Sequence, residues 1–467
     1  MGLGDGRLFA RFGMRACVAV LLAAATAGSV RAENLSDVLV RTYQSNPLLN
    51  AERAKLRATD ESVPQALSAY RPQVTAGLSA GLIAVRNLLP GGDRESATLK
   101  PWQIGLQVNQ TLFNGMKTSN TVRQAEAQVK SGRESLRNVE QSVMLDAVTA
   151  YMTVMGNQSL VEAQRLNVTF LRETLSTTRR RYDAGDVTPT DVAQSEARLS
   201  RGTADLNAAE VNLAVSQATY QQVTGAPPGR LTAAEPIDRL LPRTREDALA
   251  SARRANPAVL GATYDTDAAQ LAISIAEAAL YPTLGVQGNV FRSSQTDTTL
   301  GTTRSDQASV VGTLNVPVYD GGMAASQVRQ AKETLAQTRA MLDRVRSQGD
   351  TAVVAAWVTH EGAKISLAAA ESEVKAANLA LSGVQKEALA GQRTTLDVLN
   401  SQQDLMTARA RLINAQRDRV VASYTLLAAV GGLDHGRLAL KTPSYEPDAH
   451  YHQVRDAWGG LRTPSGQ

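Results

Sequence analysis

Hydrophobic residues recur every seven positions over two long stretches of the chain. In the first stretch they are Val122, Val129, Leu136 and Val143, followed after a step of four by Ala147, Val154, Val161, Val168 and Leu175. The spacing returns 206 residues later at Val328, Leu335, Leu342, Gly349, Val353, His360, Leu367, Val374 and Leu381. An apolar heptad predicts a helix that supercoils against a neighbour, and a step of four locally unwinds the supercoil. About 70 helical residues at about 1.5 Å each span roughly 100 Å, so each stretch predicts a very long helix.

Two other pairs of segments alternate with a period of two, which predicts strands with one apolar and one polar face. The first pair has the apolar series Val74, Ala76, Leu78, Ala80, Leu82 and Trp102, Ile104, Leu106, Val108, Leu112. The second pair has Leu284, Val286, Val290 and Ala308, Val310, Leu314, Val316, Val318. Polar connections at 87–101 and 293–305 then make each pair a β-hairpin.

Short phrases are repeated at matching places, which indicates a duplication of nearly the whole chain. The repeated pairs are Asn46-Pro47 with Asn256-Pro257, Tyr70-Arg71-Pro72 with Leu280-Tyr281-Pro282, and Phe113-Asn114-Gly115 with Tyr319-Asp320-Gly321. Gly185 and Gly391 follow the two long helices, where glycine commonly stops a helix in the left-handed conformation. Beyond each glycine a return helix is expected to keep the heptad at Val192, Leu199, Leu206, Leu213 and Tyr220, and at Val398, Leu405, Leu412 and Leu426.

Each copy is therefore a helix, a hairpin, a very long helix and a return helix. We expect the first copy at 33–225, with its hairpin at 73–113, long helix at 115–184 and return helix at 190–225. We expect the second copy at 243–432, with the same elements at 283–319, 321–388 and 394–431. Residues 226–242 form a Pro-rich linker, and the tail at 433–467 is expected to be partly disordered or packed around the outside.

Residues 1–32 are predicted to be a cleaved secretory signal peptide. Three arginines precede an apolar run at 16–27, and Ala32 ends a small-residue cleavage site. The apolar run is shorter than the ~20 residues of a spanning helix, although an inner-membrane anchor is the alternative. The only cysteine, Cys17, lies in this segment, so the mature chain has no disulfide and no thiolate metal site. Cleavage also lowers the formal net charge from +5 to about +2, and with few aromatic residues nothing indicates nucleic-acid binding.

The hairpins admit two interpretations. They are membrane strands, whose usual length is about 9–11 residues, or they are amphipathic caps on a soluble helical rod. A four-stranded sheet leaves two open edges, and unpaired backbone groups cannot face lipid. One chain cannot close a barrel, whereas three copies of four strands give twelve. If the hairpins lie in a membrane, the protein is therefore an oligomer.

Together the repeat, the hairpins and the two turns after the long helices resemble the TolC family of outer-membrane efflux and type I secretion proteins, over roughly Asn34 to Leu433. The resemblance implies a mostly α fold with a small β part. It also implies a homotrimer with a 12-stranded β-barrel in outer-membrane lipid and an α-helical barrel in the periplasm. The expected function is a passive exit duct, gated at its periplasmic end. The implied partners are a periplasmic adaptor protein and an inner-membrane transporter of the ABC, RND or MFS type.

The same resemblance assigns candidate residues to the periplasmic gate. Asp397 matches an acidic ring at the entrance, and Asn400 stands where some members have a second Asp. Arg393 and Asp191 match residues that link neighbouring helical hairpins in the closed state. Some members have a tyrosine three residues before the glycine of the second copy, where this chain has Ala388. Tyr182 occupies the equivalent position in the first copy. A ring of like charges at a constriction favours cations over anions. Both aspartates are also expected to be N-caps of the return helices, because Asp is favoured there, and this role is compatible with the gate.

Other residues support no catalytic or cofactor site. His360 is interpreted as a polar seam residue that sets helix register rather than as a ligand. His450 and His452 are too few for a metal site without further ligands. The sequence contains no nucleophile elbow, phosphate loop or paired-carboxylate site in a confirming context, so no enzyme activity is expected. The alternative function is a periplasmic or cell-surface coiled-coil protein, structural or adhesive, whose hairpins do not enter a membrane.

Overall fold

The structure is a computed structural model that describes residues 33–88, 91, 94–297 and 301–464. The expected signal peptide, with Cys17, lies outside the described residues. The described chain is mostly helical, with one antiparallel sheet, which confirms the predicted fold class. Among the described residues, no helix is long and apolar enough to cross a membrane.

Both halves follow one plan, in which short helices are followed by antiparallel strands, a very long helix and a return helix. The first half contains α1 (Leu35–Ser45), α2 (Pro47–Asp60), α3 (Ser62–Leu67), β1 (Gln73–Ala80), β2 (Ile83–Leu88), β3 (Arg94–Asn114), α4 (Lys117–Asp183) and α5 (Pro189–Thr224). The second contains α6 (Arg245–Ala255), α7 (Pro257–Glu277), β4 (Thr283–Asp297), β5 (Gly301–Asn315), α8 (Met323–Leu389), α9 (Thr395–Ala429) and the short α10 (Pro447–Val454). The long helices α4 and α8 have 67 residues each.

The chain forms two compact units. The first unit comprises the described residues up to Leu48 together with Glu140–Ala248 and Val353–Pro443. The second comprises Leu49–Val139, Leu249–Ala352 and the chain from Ser444 onward. The return helices belong to the first unit and the whole sheet to the second, while both long helices contribute residues to each.

The heptad positions of the long helices are buried as their spacing predicts. All nine positions in α4 are buried, and the most exposed of them, Val122, is only 9% exposed. In α8 six of the nine are buried, while Gly349, Leu367 and Val374 are half-buried. Burying an apolar stripe along one face is what stabilises such a helix, because its own backbone propensity contributes little.

The return helix α5 packs through small residues, and the predicted leucine seam is wrong for it. The predicted positions Val192, Leu199, Leu206 and Leu213 are only half-buried, whereas the last member of the series, Tyr220, is fully buried. The buried stripe lies three residues further on, at Ser195, Gly202, Ala209 and Ser216. A Cβ added at Gly202 would lie 2.7 Å from Leu171 Cδ1 of α4. Small side chains let the two backbones approach closely, which leaves the leucine series at the margin of the packed face.

The sheet has the strand order β1-β3-β4-β5, with β2 paired to the outer part of β3. All pairs are antiparallel. The predicted connections at 87–101 and 293–305 are too long, because β3 pairs with β2 from Arg94 and β4 pairs with β5 as far as Asp297 and Gly301. The Ser- and Thr-rich ends continue the ladder, since backbone pairing does not require apolar side chains.

The register separates an apolar face of the sheet from a polar one. Val74 lies opposite Val108 and Gly288 opposite Val310, while Leu106 lies opposite Val290 on the same face. This apolar face is solvent-exposed in the single chain, to 54% at Leu106 and 80% at Val310. Strand β5 ends at Asn315 rather than at 319, where the hairpin was expected to end. Pro317 follows and has no N–H to donate to a ladder.

The linker between the copies is anchored to the first unit. The Tyr151 hydroxyl accepts a hydrogen bond from the Thr232 N–H at 3.0 Å. Asp238 accepts from Arg419 and lies 3.0 Å from His360 Nε2. His360 is 4% exposed at its seam position, and it also holds the linker to α8.

The tail is packed in both units. Leu433 and Leu440 are buried in the first unit, and His450 and Val454 in the second. His450 Nδ1 lies 3.0 Å from the Asp60 carboxylate, whose side chain is fully buried. No cluster of three or more His, Cys, Asp or Glu able to hold a metal occurs in the described part of the chain.

Candidate functional site: the helix tips

The candidate gate residues lie at the two turns where the long helices end, which we call the helix tips: residues 180–200 and 386–402. At the first tip the Gly185 N–H donates to the Tyr182 carbonyl at 2.9 Å, and the Asp186 N–H donates to the Arg181 carbonyl at 2.8 Å. Gly185 has φ +83°, a left-handed conformation that side chains disfavour. The turn thus satisfies the last carbonyls of α4 and reverses the chain within a few residues.

The second tip repeats this geometry. The Gly391 N–H donates to the Ala388 carbonyl at 3.1 Å, the Gln392 N–H donates to the Glu387 carbonyl at 2.9 Å, and Gly391 has φ +75°. Ala388 contributes only its backbone carbonyl to this turn. At the first tip the Tyr182 ring is likewise not part of the turn and is 45% exposed.

Asp191 and Asp397 begin the return helices, but they are not the N-caps. The N-caps are Thr188 and Thr394, and each aspartate is the third helical residue of a capping box. Asp191 Oδ2 accepts from the Thr188 N–H at 2.9 Å, and Asp397 Oδ2 accepts from the Thr394 N–H at 3.0 Å. The reciprocal bonds from the aspartate N–H groups to the threonine hydroxyls are 3.4 and 3.2 Å. Each box satisfies backbone donors that the helix start would leave unpaired.

The capping bonds keep both carboxylates charged. Hydrogen bonds from Thr188 lower the pKa of Asp191 below its usual value, and Arg181 contributes a smaller favourable charge. Hydrogen bonds from Thr394 lower the pKa of Asp397, and Arg393 acts in the same direction. Hydrogen bonds to the ionised form favour that form. Both tips therefore present partly exposed negative charge at neutral pH.

Arg393 pairs within its own turn. Its Nε donates to Glu387 Oε2 at 2.9 Å, and this bond, followed by the nearby Asp397 charge, raises the pKa of the guanidinium. Among the described residues of this chain, Arg393 forms no ion pair with Asp191. The single chain thus brings Arg393 next to Asp397 but does not join Arg393 to Asp191.

A hydrogen bond joins the two return helices near the tips. Arg198 Nη2 donates to Asn400 Oδ1 at 2.8 Å. Asn400 is an exposed, uncharged acceptor here. An open groove of about 560 Å³ also separates the tips, with Phe170 and Thr177 on one side and Leu389 and Val398 on the other.

Four partners of the candidate residues were not predicted: Thr188, Thr394, Glu387 and Arg198. The two threonines had a readable signal, because Thr188-x-x-Asp191 and Thr394-x-x-Asp397 match the capping-box pattern at a helix start. Glu387 and Arg198 had none, since their pairing depends on how the turn and the return helices pack.

Comparison with known proteins identifies relatives over nearly the whole chain. The family model described as "Outer membrane efflux protein" matches residues 38–226 and 248–432, one segment in each copy. The outer membrane efflux protein BepC of Brucella suis biovar 1 is 41% identical over 95% of this chain and 95% of its own length. The outer membrane protein TolC of Escherichia coli is 26% identical, over 89% of this chain and 86% of TolC.

Solved structures agree with the fold. The CmeC outer membrane channel of Campylobacter jejuni has a TM-score of 0.77 and covers 91% of this chain and 90% of CmeC, at 14% identity. At that identity the likeness shows the fold alone. The family match covers far more than half of the chain, and BepC exceeds 30% identity over almost all of it. The chain belongs to the outer membrane efflux protein family and is an efflux channel protein of the outer membrane.

Proposed function

We propose that three copies of this chain form one passive duct, closed at the helix tips and opened by its partners. The exposed apolar face of the sheet carries this proposal. In one chain that face meets water, and within the described part of the chain the outer edges of β1, β2 and β5 have no neighbouring strand. Because β1 and β2 lie end to end along the same edge of β3, each chain supplies four strand positions. Pairing the β1–β2 edge of one copy with β5 of the next removes every open edge and gives twelve strand positions. The half-buried leucine series of α5 would pack against helices of a neighbouring copy.

At the tips, Asp397 of each copy forms the charged ring at the periplasmic entrance. The partly exposed carboxylate, held ionised by Thr394, supports this role. Three such charges at a narrow point attract cations and repel anions. Asn400 adds no charge, so the ring binds cations more weakly than one with two carboxylates per copy. Asp191 and Arg393 contribute to links between neighbouring copies that hold the tips closed, and Tyr182 lies beside them.

The duct hydrolyses nothing itself. A periplasmic adaptor protein and an inner-membrane transporter of the ABC, RND or MFS type supply the energy and open the tips. The groove between the two tips of one chain has apolar side chains from both sequence repeats at its edges, and it supports docking of a helical partner at this end. Efflux of small molecules and type I secretion of proteins both fit such a duct.

The test of the gate separates charge from capping. Asp397→Asn removes the charge and keeps an oxygen for the Thr394 N–H, whereas Asp397→Ala removes both. In planar-bilayer recordings, block by multivalent cations from the periplasmic side should weaken about equally in both variants. Glu333→Ala, an exposed carboxylate near the start of α8, is the control and should leave block unchanged. Unchanged block in Asp397→Asn would remove this residue from the entrance.

A further inference from the structure

Basic side chains interrupt the apolar face of the sheet at its hairpin-loop end. Strand pairing places Leu78, Ile104 and Arg292 in one row across the sheet, with Asp306 beside Arg292. The next row outward contains Trp102 and Arg304, and the row beyond contains Lys100. All of these positions share the parity of Leu106 and Val290, so they lie on the apolar face and not on the polar one. We call Lys100, Trp102, Arg292 and Arg304 the basic rim.

Only part of this charge is neutralised within the chain. Arg292 donates to both carboxylate oxygens of Asp306, at 2.5 and 3.0 Å. A bidentate pair of this kind lets an arginine stay beside apolar neighbours. Lys100 and Arg304 are exposed, and neither has a hydrogen bond or ion pair with the part of the chain that the structure describes. Three cations and one anion leave a net charge of +2 per chain on this rim.

The rim lies where an apolar band would end. Arg292 is eight residues along β4 from Leu284, which is about 27 Å of strand at about 3.4 Å per residue. With the strand tilt of about 35–45° found in membrane barrels, that is a height of roughly 20 Å, and the row of Arg304 lies at roughly 25 Å. The apolar band of such barrels is also about 25 Å tall. Trp102 suits this boundary, where aromatic rings sit at headgroup level.

We propose that the basic rim binds the phosphate groups of an anionic glycolipid in the outer leaflet; this inference rests on the proposed membrane role of the hairpins. The strand ends next to the long helices lie on the periplasmic side, so the rim is on the outer side. Lys100 and Arg304 lie two strands and one row apart, with Cα atoms about 12 Å from each other by sheet geometry. Two cations at that spacing, beside an apolar face that holds acyl chains, fit one phosphorylated headgroup.

The chemistry favours a lipid over a soluble anion. The cations are on the face that meets acyl chains, whereas the polar face carries Gln103, Ser293 and Ser305 between the rows of Arg292 and Arg304. A phosphate dissolved in water gains nothing from the neighbouring apolar rows, whereas a lipid gains both contacts. Basic side chains near a membrane surface each contribute a modest attraction to anionic lipid, so two give a measurable preference.

The experiment counts bound lipid on the assembled protein. Native mass spectrometry of the detergent-purified oligomer would compare diphosphoryl lipid A with the same lipid after dephosphorylation. EDTA is present so that divalent cations cannot bridge phosphate to carboxylate. The wild-type protein should bind the phosphorylated lipid at least tenfold more tightly. Lys100→Gln with Arg304→Gln should weaken that binding by about fivefold for each charge removed and leave binding of the dephosphorylated lipid unchanged.

Two further variants complete the test. Arg344→Gln with Lys375→Gln removes one arginine and one lysine from exposed positions of α8 and should leave lipid binding unchanged. Lys100→Arg with Arg304→Lys keeps both charges and should retain binding within about twofold. Equal binding of the two lipids by the wild-type protein, or undiminished binding in the double glutamine variant, would overturn the inference. If the protein conducts in bilayers but binds the phosphorylated and dephosphorylated lipids equally, the proposed function stands and only this inference fails. If the protein does not enter bilayers at all, the proposed function itself is refuted.

Discussion

Single residues at the helix tips have two roles, one in helix capping and one in the charge of the tip. Asp191 and Asp397 each close a capping box, and this role follows from the local sequence because a Thr three residues earlier is the matching N-cap. The charge that each leaves at the tip is what the proposed gate uses. The second role was inferred from family resemblance and not from spacing, because a ring of charges exists only between copies.

The pKa of Asp397 predicts how cation block depends on pH. Thr394 holds this pKa below its usual value of 3.8, so the carboxylate is charged throughout the neutral and mildly acidic range. Because the pKa of Asp397 is lower in the folded protein than in the unfolded chain, its capping bonds add to the free energy of unfolding. This stabilisation is complete above the unfolded-state pKa and is lost as the pH falls through the folded-state pKa. Block should therefore stay constant through the neutral and mildly acidic range and be lost only below the usual pKa of 3.8. Bilayer recordings across this range check it, with Asp397→Asn showing no pH dependence. A midpoint above the usual pKa of 3.8 would contradict the prediction.

His450 is predicted to hold the tail in place. The Asp60 side chain is fully buried and has His450 as its hydrogen-bond partner, so His450→Ala leaves a buried carboxylate without that bond. Loss of such a bond costs about 1–3 kcal/mol, which should loosen residues 444–464. Limited proteolysis of the purified oligomer should cut the tail faster in this variant. His452→Ala changes an exposed ring two residues away and is the matched control. Equal cleavage in both variants would show that the pair does not anchor the tail.

At the scale of elements, patterns of large apolar residues were informative and patterns of small ones were not. The heptad of α4 is visible because Val, Leu and Ala recur on the face that becomes buried. The seam of α5 was misplaced because its buried stripe is Ser, Gly, Ala and Ser, which no hydrophobic count detects. The hairpin loops were overestimated for a related reason. The outer ends of β4 and β5 are polar on both faces, yet their backbones remain paired.

The two faces of β3 should respond differently to added charge. Leu106 is on the apolar face, and its neighbour Gln107 is on the polar face. Leu106→Arg places an unpaired charge against lipid and should destabilise the assembled protein by about 2–4 kcal/mol if the site is near the midplane. Gln107→Arg should be tolerated, because that face is wet. The yield of detergent-resistant oligomer in outer membranes, compared between the two variants, measures this. Equal tolerance on both faces would mean that these strands are not in lipid.

For the whole molecule, the sequence predicted two repeats of one set of elements, but it did not predict how separate chains associate. Membership of the outer membrane efflux protein family favours the channel over a structural or adhesive coiled-coil protein. The packing of the linker and the tail could not be predicted. Both depend on isolated polar contacts, such as Asp238 with His360 and Arg419, between segments far apart in the chain. Such contacts leave no periodic signal in the sequence.

The central claim is that β1 of one chain pairs with β5 of the next chain. Cysteine crosslinking between these two strands tests it most directly. Cys17 is the only cysteine and lies in the expected signal peptide, so engineered cysteines can be placed on a clean background. Thr75→Cys on the open edge of β1 would be combined in turn with a cysteine at each position from 309 to 313 on β5, with single-cysteine chains as controls. Oxidation in intact outer membranes should give a crosslinked ladder that ends at three chains for at least one pairing. Crosslinks confined to single chains, or none at any pairing, would contradict the account.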